Sequence, residues 1–384
     1  MRATGWWGGE GMSYTYVRDT DAPLRPPPVG TSGPVGWLRE NLFPNVWSSL
    51  LTLLLGLLLG YLVWSVLDWA VLRAAWTGTD RTACAFEGAG ACWPFVWEKF
   101  PQWIFGFYPI DERWRPVAVI LIGALGLAPM LMPNVPGKQL NALFLLIAYP
   151  VIAYFLLAGG VFGLEPVETT NWGGLLVTLV VAVTGIVISL PLGILLALGR
   201  RSELPAVRTV SIAFIELWRG VPLVTVLFMA SVMLPLFLPN GVNLDKLMRA
   251  IVGLSLFASA YMAEAVRGGL QAVTKGQTEA GLALGLSRWQ TTRKIVLPQA
   301  LRISIPNIVG IFIGLFKDTT LVLVVSIYDF LGIINAGLQD SKWAAPQTAN
   351  TGYFVAAIVY FIFCYGMSRY ALFTERRLAE SGRR

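Results

Sequence analysis

Apolar residues along this chain come in long unbroken runs rather than at the one-sided spacing of a soluble helix. A helix crosses a bilayer with about 20 apolar residues. The runs 47–67, 140–164 and 172–199 reach that length without a charged residue. The run 117–132 is shorter and lies between Pro116 and Pro133, where tilt or its flanks complete it. Four more runs follow: 211–238 with Glu216 and Arg219, 251–270 with Glu264 and Arg267, 303–327 with Lys317 and Asp318, and 353–372 with Arg369 near its foot. The pattern predicts an all-α polytopic membrane protein of about eight transmembrane helices.

Composition agrees with that pattern. The chain is 55% hydrophobic and 13% charged, with a mean hydropathy of +0.63, whereas soluble domains carry about a quarter charged residues. With the amino terminus inside, 19 Lys and Arg fall in cytoplasmic segments and 8 in external ones. That asymmetry places both termini and the polar island 271–300 in the cytoplasm. The net charge of +7 is spread over these loops without a nucleic-acid-binding motif, so a nucleic acid partner is not expected. A polar stretch of about 45 residues precedes an apolar run too long for a secretory h-region, which argues against a cleaved signal. With no His, and with Cys84, Cys92 and Cys364 unclustered, a zinc or haem site is not expected. No phosphate-cradling Gly-x4-Gly-Lys-Ser/Thr loop is present, nor any nucleophile–base set, so no enzyme activity and no cofactor of its own is expected.

Composition also divides the chain. Residues 1–45, rich in Gly, Pro and Arg, read as a disordered cytoplasmic tail. Residues 46–165 hold three spans and an external loop, 68–115, that carries Trp69, Trp76, Trp93, Trp97, Trp103 and Trp114. Interfacial anchoring of the indoles explains such a loop, and so does a contact surface for a partner subunit. Cys84 and Cys92 lie in the same loop and form a disulfide if it faces an oxidising compartment; two free small residues are the alternative. Residues 170–375 hold five spans with short connections, and 376–384 form a basic carboxyl-terminal tail. Small residues four apart, Gly56 with Gly60 and Gly310 with Gly314, would let helices approach closely.

The polar island carries its own local structure. Gly285 suits the left-handed position just past a helix end. Ser287 and Gln290 stand at the spacing of a capping box that starts a second short helix. Pro298 fits the first turn of the next helix. The expectation is helix, sharp turn, helix, then a fresh span. Glu279, Ala280, Gly285, Ile295, Leu297 and Pro298 stand at the spacing Glu-Ala-x4-Gly-x9-Ile-x-Leu-Pro. This resembles the EAA loop by which bacterial ABC importer permeases grip a separate ATPase. Gly281 stands where that family usually has a second Ala, and Ser287 completes the turn.

Three further stretches resemble permeases of the polar amino acid branch of type I ABC importers. They are Glu216-Leu217-Trp218-Arg219-Gly220-Val221-Pro222-Leu223, with Val221 in place of Thr; the stretch from Ala260 to Gln277; and Lys317-Asp318-Thr319-Thr320. The likeness covers roughly 172–374, and the three additional spans look like the M-type permease of general L-amino acid uptake systems. The resemblance implies that the last five helices form the type I importer core in the cell inner membrane. It implies translocation of L-amino acids, of broad range, by a permease subunit paired with a second permease. It also implies a partner ATPase dimer that uses the ATP and a periplasmic amino-acid-binding protein that delivers substrate.

Charges at membrane depth cost at least about 2.5–3.5 kcal/mol each by insertion scales, so each needs a reason. Glu216 and Arg219 are three residues apart, as are Glu264 and Arg267, so each pair shares a helical face and can neutralise itself. They serve either as glue between helices or as lining of a translocation path. Lys317 and Asp318 are adjacent and point in different directions, so each needs its own partner or a wet cavity. An amino acid zwitterion wants both charges in reach, which makes Lys317, Asp318 and the face around Glu216 candidates for the path. The rival is an ion-coupled carrier or channel that uses the intramembrane carboxylates unaided; no internal repeat of the kind such carriers carry is evident.

Overall fold

The computed structural model describes residues 33–132, 135–239 and 244–381. It divides into two compact units, Met1–Leu67 and Asp68–Arg384. In the first unit, α1 (Gly33–Asn41) and α2 (Val46–Leu67) are helical. Residues 33–41 therefore depart from the expected disordered tail, of which residues 1–32 lie outside the described residues. Pro34 occupies the first turn, where its missing N–H leaves nothing unpaired, and the Asn41 amide closes the helix on the Trp37 carbonyl at 2.9 Å. No residue of α2 is buried within the chain, and a helix apolar all round is solvated by lipid.

The second unit begins with α3 (Trp93–Phe105), α4 (Trp114–Leu131), α5 (Lys138–Leu143) and α6 (Tyr149–Ala158), the last two joined by a π-helical turn. Next come α7 (Gly174–Arg200), α8 (Pro205–Gly220), α9 (Leu223–Val232) and α10 (Lys246–Ala272). The short helices α11 (Lys275–Ala283) and α12 (Arg288–Thr291) precede α13 (Leu297–Asp318), α14 (Phe330–Leu338) and α15 (Pro346–Ser381). The basic tail expected at 376–384 continues α15 as far as Ser381. α10 lies against α7 and α13 at the centre of the core. Among the described residues seven helices are long and apolar enough to cross a membrane, eight if the bent pair α8–α9 counts as one span.

That pair departs from the single straight run expected at 211–238. α8 and α9 meet at 105°. Pro222 removes a helical N–H and forces the residue before it into extended conformation; Val221 sits at φ −112°, ψ 135°. Among the described residues a Cβ added at Gly56, Gly60, Gly310 or Gly314 would meet nothing within 4 Å, so the close approach expected of them is not made inside either unit.

The Trp-rich segment is a folded cap rather than a surface loop. Cys84 and Cys92 are disulfide-bonded with Cα atoms 5.6 Å apart. The Cys92 amide donates to the Thr351 hydroxyl at 2.8 Å, and the Trp93 indole donates to the Ala70 carbonyl at 2.8 Å. Trp103 is 0% exposed and meets the Phe95 ring edge-on at 5.4 Å, while Phe95 also packs on Trp343. Interfacial anchoring therefore does not describe Trp103; it is core, whereas Trp76, Trp97 and Trp114 stay exposed. Two ion pairs fasten the cap to the α14–α15 connection: Lys99 to Asp340 at 2.6 Å and Lys342 to Glu98 at 2.7 Å. Hydrogen bonding from Lys342 holds the Glu98 carboxyl below its ordinary value, and Lys99 does the same to Asp340.

Replacing Trp103 by Ala removes a fully buried ring and should cost about 3–5 kcal/mol, whereas Trp97→Ala at the surface should stay within about 0.5 kcal/mol. Thermal unfolding of the detergent-solubilised protein distinguishes the two: a lowered midpoint for W103A alone is expected, and equal small effects would restore the anchoring reading.

Candidate functional site

The polar island folds into a tight elbow. α11 ends in a Schellman arrangement: Gly285 adopts φ 78°, its N–H donates to Leu282 O at 2.9 Å, and the Leu286 N–H donates to Gly281 O at 3.2 Å. A residue with a Cβ would be strained at that φ. Ser287 then opens α12 through a reciprocal capping box. The Gln290 N–H donates to Ser287 Oγ at 3.3 Å, and the Ser287 N–H donates to Gln290 Oε1 at 3.0 Å. α12 does not stop before a fresh span, as the sequence suggested. It runs through a π-helical turn, Thr292–Val296, into α13 with Pro298 in the first turn. The π turn carries the Leu297 N–H to Thr292 O, so the chain stays helical around a proline that has no N–H to give.

Gly281, the departure from the usual Ala, has a structural reason. A Cβ there would lie 2.6 Å from Thr291 Cγ2 and 3.2 Å from Ile295 Cδ1. The two arms of the elbow therefore touch through the missing side chain. Glu279 and Ala280 face outward with Gly285, while Ile295 and Leu297 are half-buried behind them. The elbow also presents Leu284, 79% exposed, and Trp289, 60% exposed. Sequence reasoning missed this apolar tip, although both residues sit in an otherwise polar stretch. Arg288 pairs with Glu203 of the α7–α8 turn.

The intramembrane charges gather around one carboxylate. Glu264 receives Arg200 at 2.8 Å, Arg267 at 2.7 Å and Arg219 at 3.8 Å. The Glu264–Arg267 pair is the one expected from the i,i+3 spacing. Glu216 and Arg219 do not pair with each other: Glu216 takes Arg200 at 3.0 Å, and Arg219 lies 5.8 Å from the Tyr261 ring centroid. The missing partner was Arg200, at the end of the preceding span and invisible to spacing within one helix. The cluster joins α7, α8 and α10.

A cavity of about 290 Å³ opens between α10 and α13, lined by Phe257, Tyr261, Gly314 and Asp318 among others. Asp318 is the acidic group of its wall, and Arg219 stacks over the Tyr261 that lines the same space. Lys317 is exposed and does not line this cavity, and neither does Glu216. Of the three groups expected to share a path, only Asp318 reaches the cavity. Among the described residues no cluster of His, Cys, Asp or Glu could hold a metal ion.

Residues 189–380 match the family model described as the binding-protein-dependent transport system inner membrane component. The inner membrane amino-acid ABC transporter permease protein YhdY of Escherichia coli K12 is 48% identical over 355 residues, which cover 92% of this chain and 96% of its own. The glutamate/glutamine/aspartate/asparagine transport system permease protein BztC of Rhodobacter capsulatus is 38% identical over 440 residues, 97% of this chain and 100% of its own. The glutamate/aspartate import permease protein GltK of Escherichia coli O6:H1 is 35% identical over 212 residues, only 54% of this chain but 92% of its own. The first two thus share nearly the whole length, and the third about half of it.

Gly281→Val should force the arms of the elbow apart, at about 1–3 kcal/mol for overpacking a closed contact, and Ser287→Ala should remove a cap worth about 1 kcal/mol. Hydrogen exchange over residues 275–296 reads both. Faster exchange there with unchanged exchange in α7 is the expected outcome, and unchanged protection of the elbow in G281V would contradict the contact.

Proposed function

The chain belongs to the family of binding-protein-dependent transport system inner membrane components, and on that footing we propose that its elbow receives the stroke of a partner ATPase and passes it to an amino acid path lined by Asp318. It is a multi-pass permease of the amino-acid ABC importer class and not itself an enzyme. ATP is used by the partner ATPase, and a binding protein supplies the substrate. The ion-coupled carrier is not favoured, since nearly the whole length follows a relative named as an ABC transporter permease.

One observation carries the mechanical reading. The elbow is the direct link between α10 and α13, and those two helices supply the cavity walls, Tyr261 from one and Asp318 from the other. A displacement of the elbow therefore moves both walls. The exposed Leu284 and Trp289 give the ATPase an apolar tip to grip, flanked by Glu279 and Ala280. Asp318 suits the substrate ammonium. Arg219 suits the carboxylate, because it is the most loosely held of the three arginines around Glu264. The excess of Lys and Arg supports an elbow and two termini on the cytoplasmic side of the inner membrane. The core pairs with a second, homologous permease, and the cargo is L-amino acids of broad range.

Glu279→Arg and Gly285→Pro should leave membrane levels intact while amino acid uptake by the reconstituted importer falls about tenfold or more, out of step with ATP turnover. Normal uptake in both variants would overturn the elbow's role. Asp318→Asn removes a charged hydrogen-bond partner worth about 1.5–3 kcal/mol, so substrate affinity in transport assays should drop about tenfold or more. Unaltered uptake and unaltered substrate choice would remove Asp318 from the path.

A further inference from the structure

The α7–α8 corner carries a second cavity, of about 430 Å³, lined by Arg200, Arg201, Ser202, Arg208 and Ile212. Its charge is nearly all of one sign. Positive-inside topology explains arginines at the end of a span, but not their convergence on one cavity with so little local acid. Glu203, the nearest carboxylate in sequence, pairs with Arg288 of the elbow. Arg200 commits one nitrogen to Glu216 and Glu264, and Arg201 commits one to the Leu270 carbonyl at 3.2 Å. Arg208 makes no ion pair or side-chain hydrogen bond among the described residues. Each guanidinium has five N–H donors, so most donors around the cavity have no protein acceptor. Ser202 Oγ accepts from the Leu204 N–H at 3.2 Å, which leaves its own hydroxyl proton free to donate.

Depth is the second observation. The span Gly174–Arg200 ends at the first of these arginines, so the cavity lies where a bilayer's headgroups begin. Beside it Leu204, just before α8, and Val207 and Val210 of α8 lie outward, 65%, 44% and 68% exposed, and Ile212 gives the cavity an apolar wall. Planar guanidinium forks match the oxygens of phosphate in bidentate fashion.

We infer that the Arg200–Arg201–Arg208 cavity is a binding site for a phosphate-bearing anion at the membrane surface. Its chemistry is that of a phosphodiester headgroup or of free phosphate, and Arg201 and Arg208 are its principal donors. Arg200 belongs to both this site and the Glu264 cluster, so the occupant touches the group that joins α7 to α8 and α10.

The test uses the full chain in dodecyl maltoside micelles, whose headgroup carries no phosphate. Phosphatidylglycerol is added in one arm and inorganic phosphate, against chloride at matched ionic strength, in the other; binding is followed by native mass spectrometry and calorimetry. An arginine near an anionic surface is worth about fivefold in affinity. R208Q should therefore weaken binding about fivefold and R201Q/R208Q about thirtyfold, with Arg208→Lys, which keeps the charge but not the planar fork, falling between wild type and R208Q, and R376Q/R377Q unchanged. Loss in the phosphatidylglycerol arm identifies a lipid headgroup, and loss in the phosphate arm alone identifies a soluble anion. Equal binding by wild type and R201Q/R208Q, or no binding in either arm, overturns the site. Both mutated side chains are exposed, and a monodisperse elution profile confirms that the variants fold.

Discussion

A half-buried carboxylate packed between helices must find cations, and in this chain Glu264 finds three. Packed between helices without a counter-charge, it would lose hydration that nothing replaced. Arg200, Arg219 and Arg267 come from three different helices, so neutralising one charge fixes the relative positions of α7, α8 and α10. The arrangement is over-determined. Arg200 also holds Glu216, and Arg219 also lies over Tyr261. Removing one arginine would leave the carboxylate with others, but moving one helix would break several contacts at once. That asymmetry suits a part that must travel as a block.

The elbow is built on the same logic at smaller scale. A Schellman turn, a capping box and a side-chain-free contact at Gly281 leave few free torsions between Lys275 and Pro298. A flexible loop would absorb a push from outside, and this one has few torsions with which to do so. From Ala272 at the end of α10 back to Glu264 is about 12 Å at 1.5 Å rise per residue, so the ion cluster lies about two turns back along the helix that leads into the elbow, with extended Val273 between the two. Gly281 shows that the departure from the usual Ala is structural: Thr291 and Ile295 occupy the space the methyl would need.

Much of this was legible before the structure, and the reasons differ by residue. Gly285, Ser287–Gln290 and Pro298 act through backbone chemistry confined to a few neighbours, so spacing alone reveals them. The corner at Val221–Pro222 was equally local and equally readable, but a hydrophobic run that continued through it concealed the break. Arg200 with Glu216 could not be read from one helix, because the partners are 16 residues apart across a turn. The cap over α14 and α15 was the least legible. Trp103 meets Phe95 nearby in sequence, but the Lys99–Asp340 and Lys342–Glu98 pairs join segments about 240 residues apart, a match that no local pattern carries.

The cap's position bears on how motion would be shared. Besides its ion pairs to the α14–α15 connection, it reaches the amino-terminal end of α7, where Gly106 meets Trp172; there the Gly174 N–H also donates to Tyr328 O of the segment before α14. The Glu264 cluster grips the other end of the same 27-residue helix. At 1.5 Å per residue the two attachments are about 40 Å apart. α7 is thus pinned at both ends, by apolar packing and a disulfide-bonded fold at one and by ion pairs at the other. A wall held that way resists bending, which leaves hinge-like change to the corner at Val221–Pro222, where α8 and α9 meet at 105°.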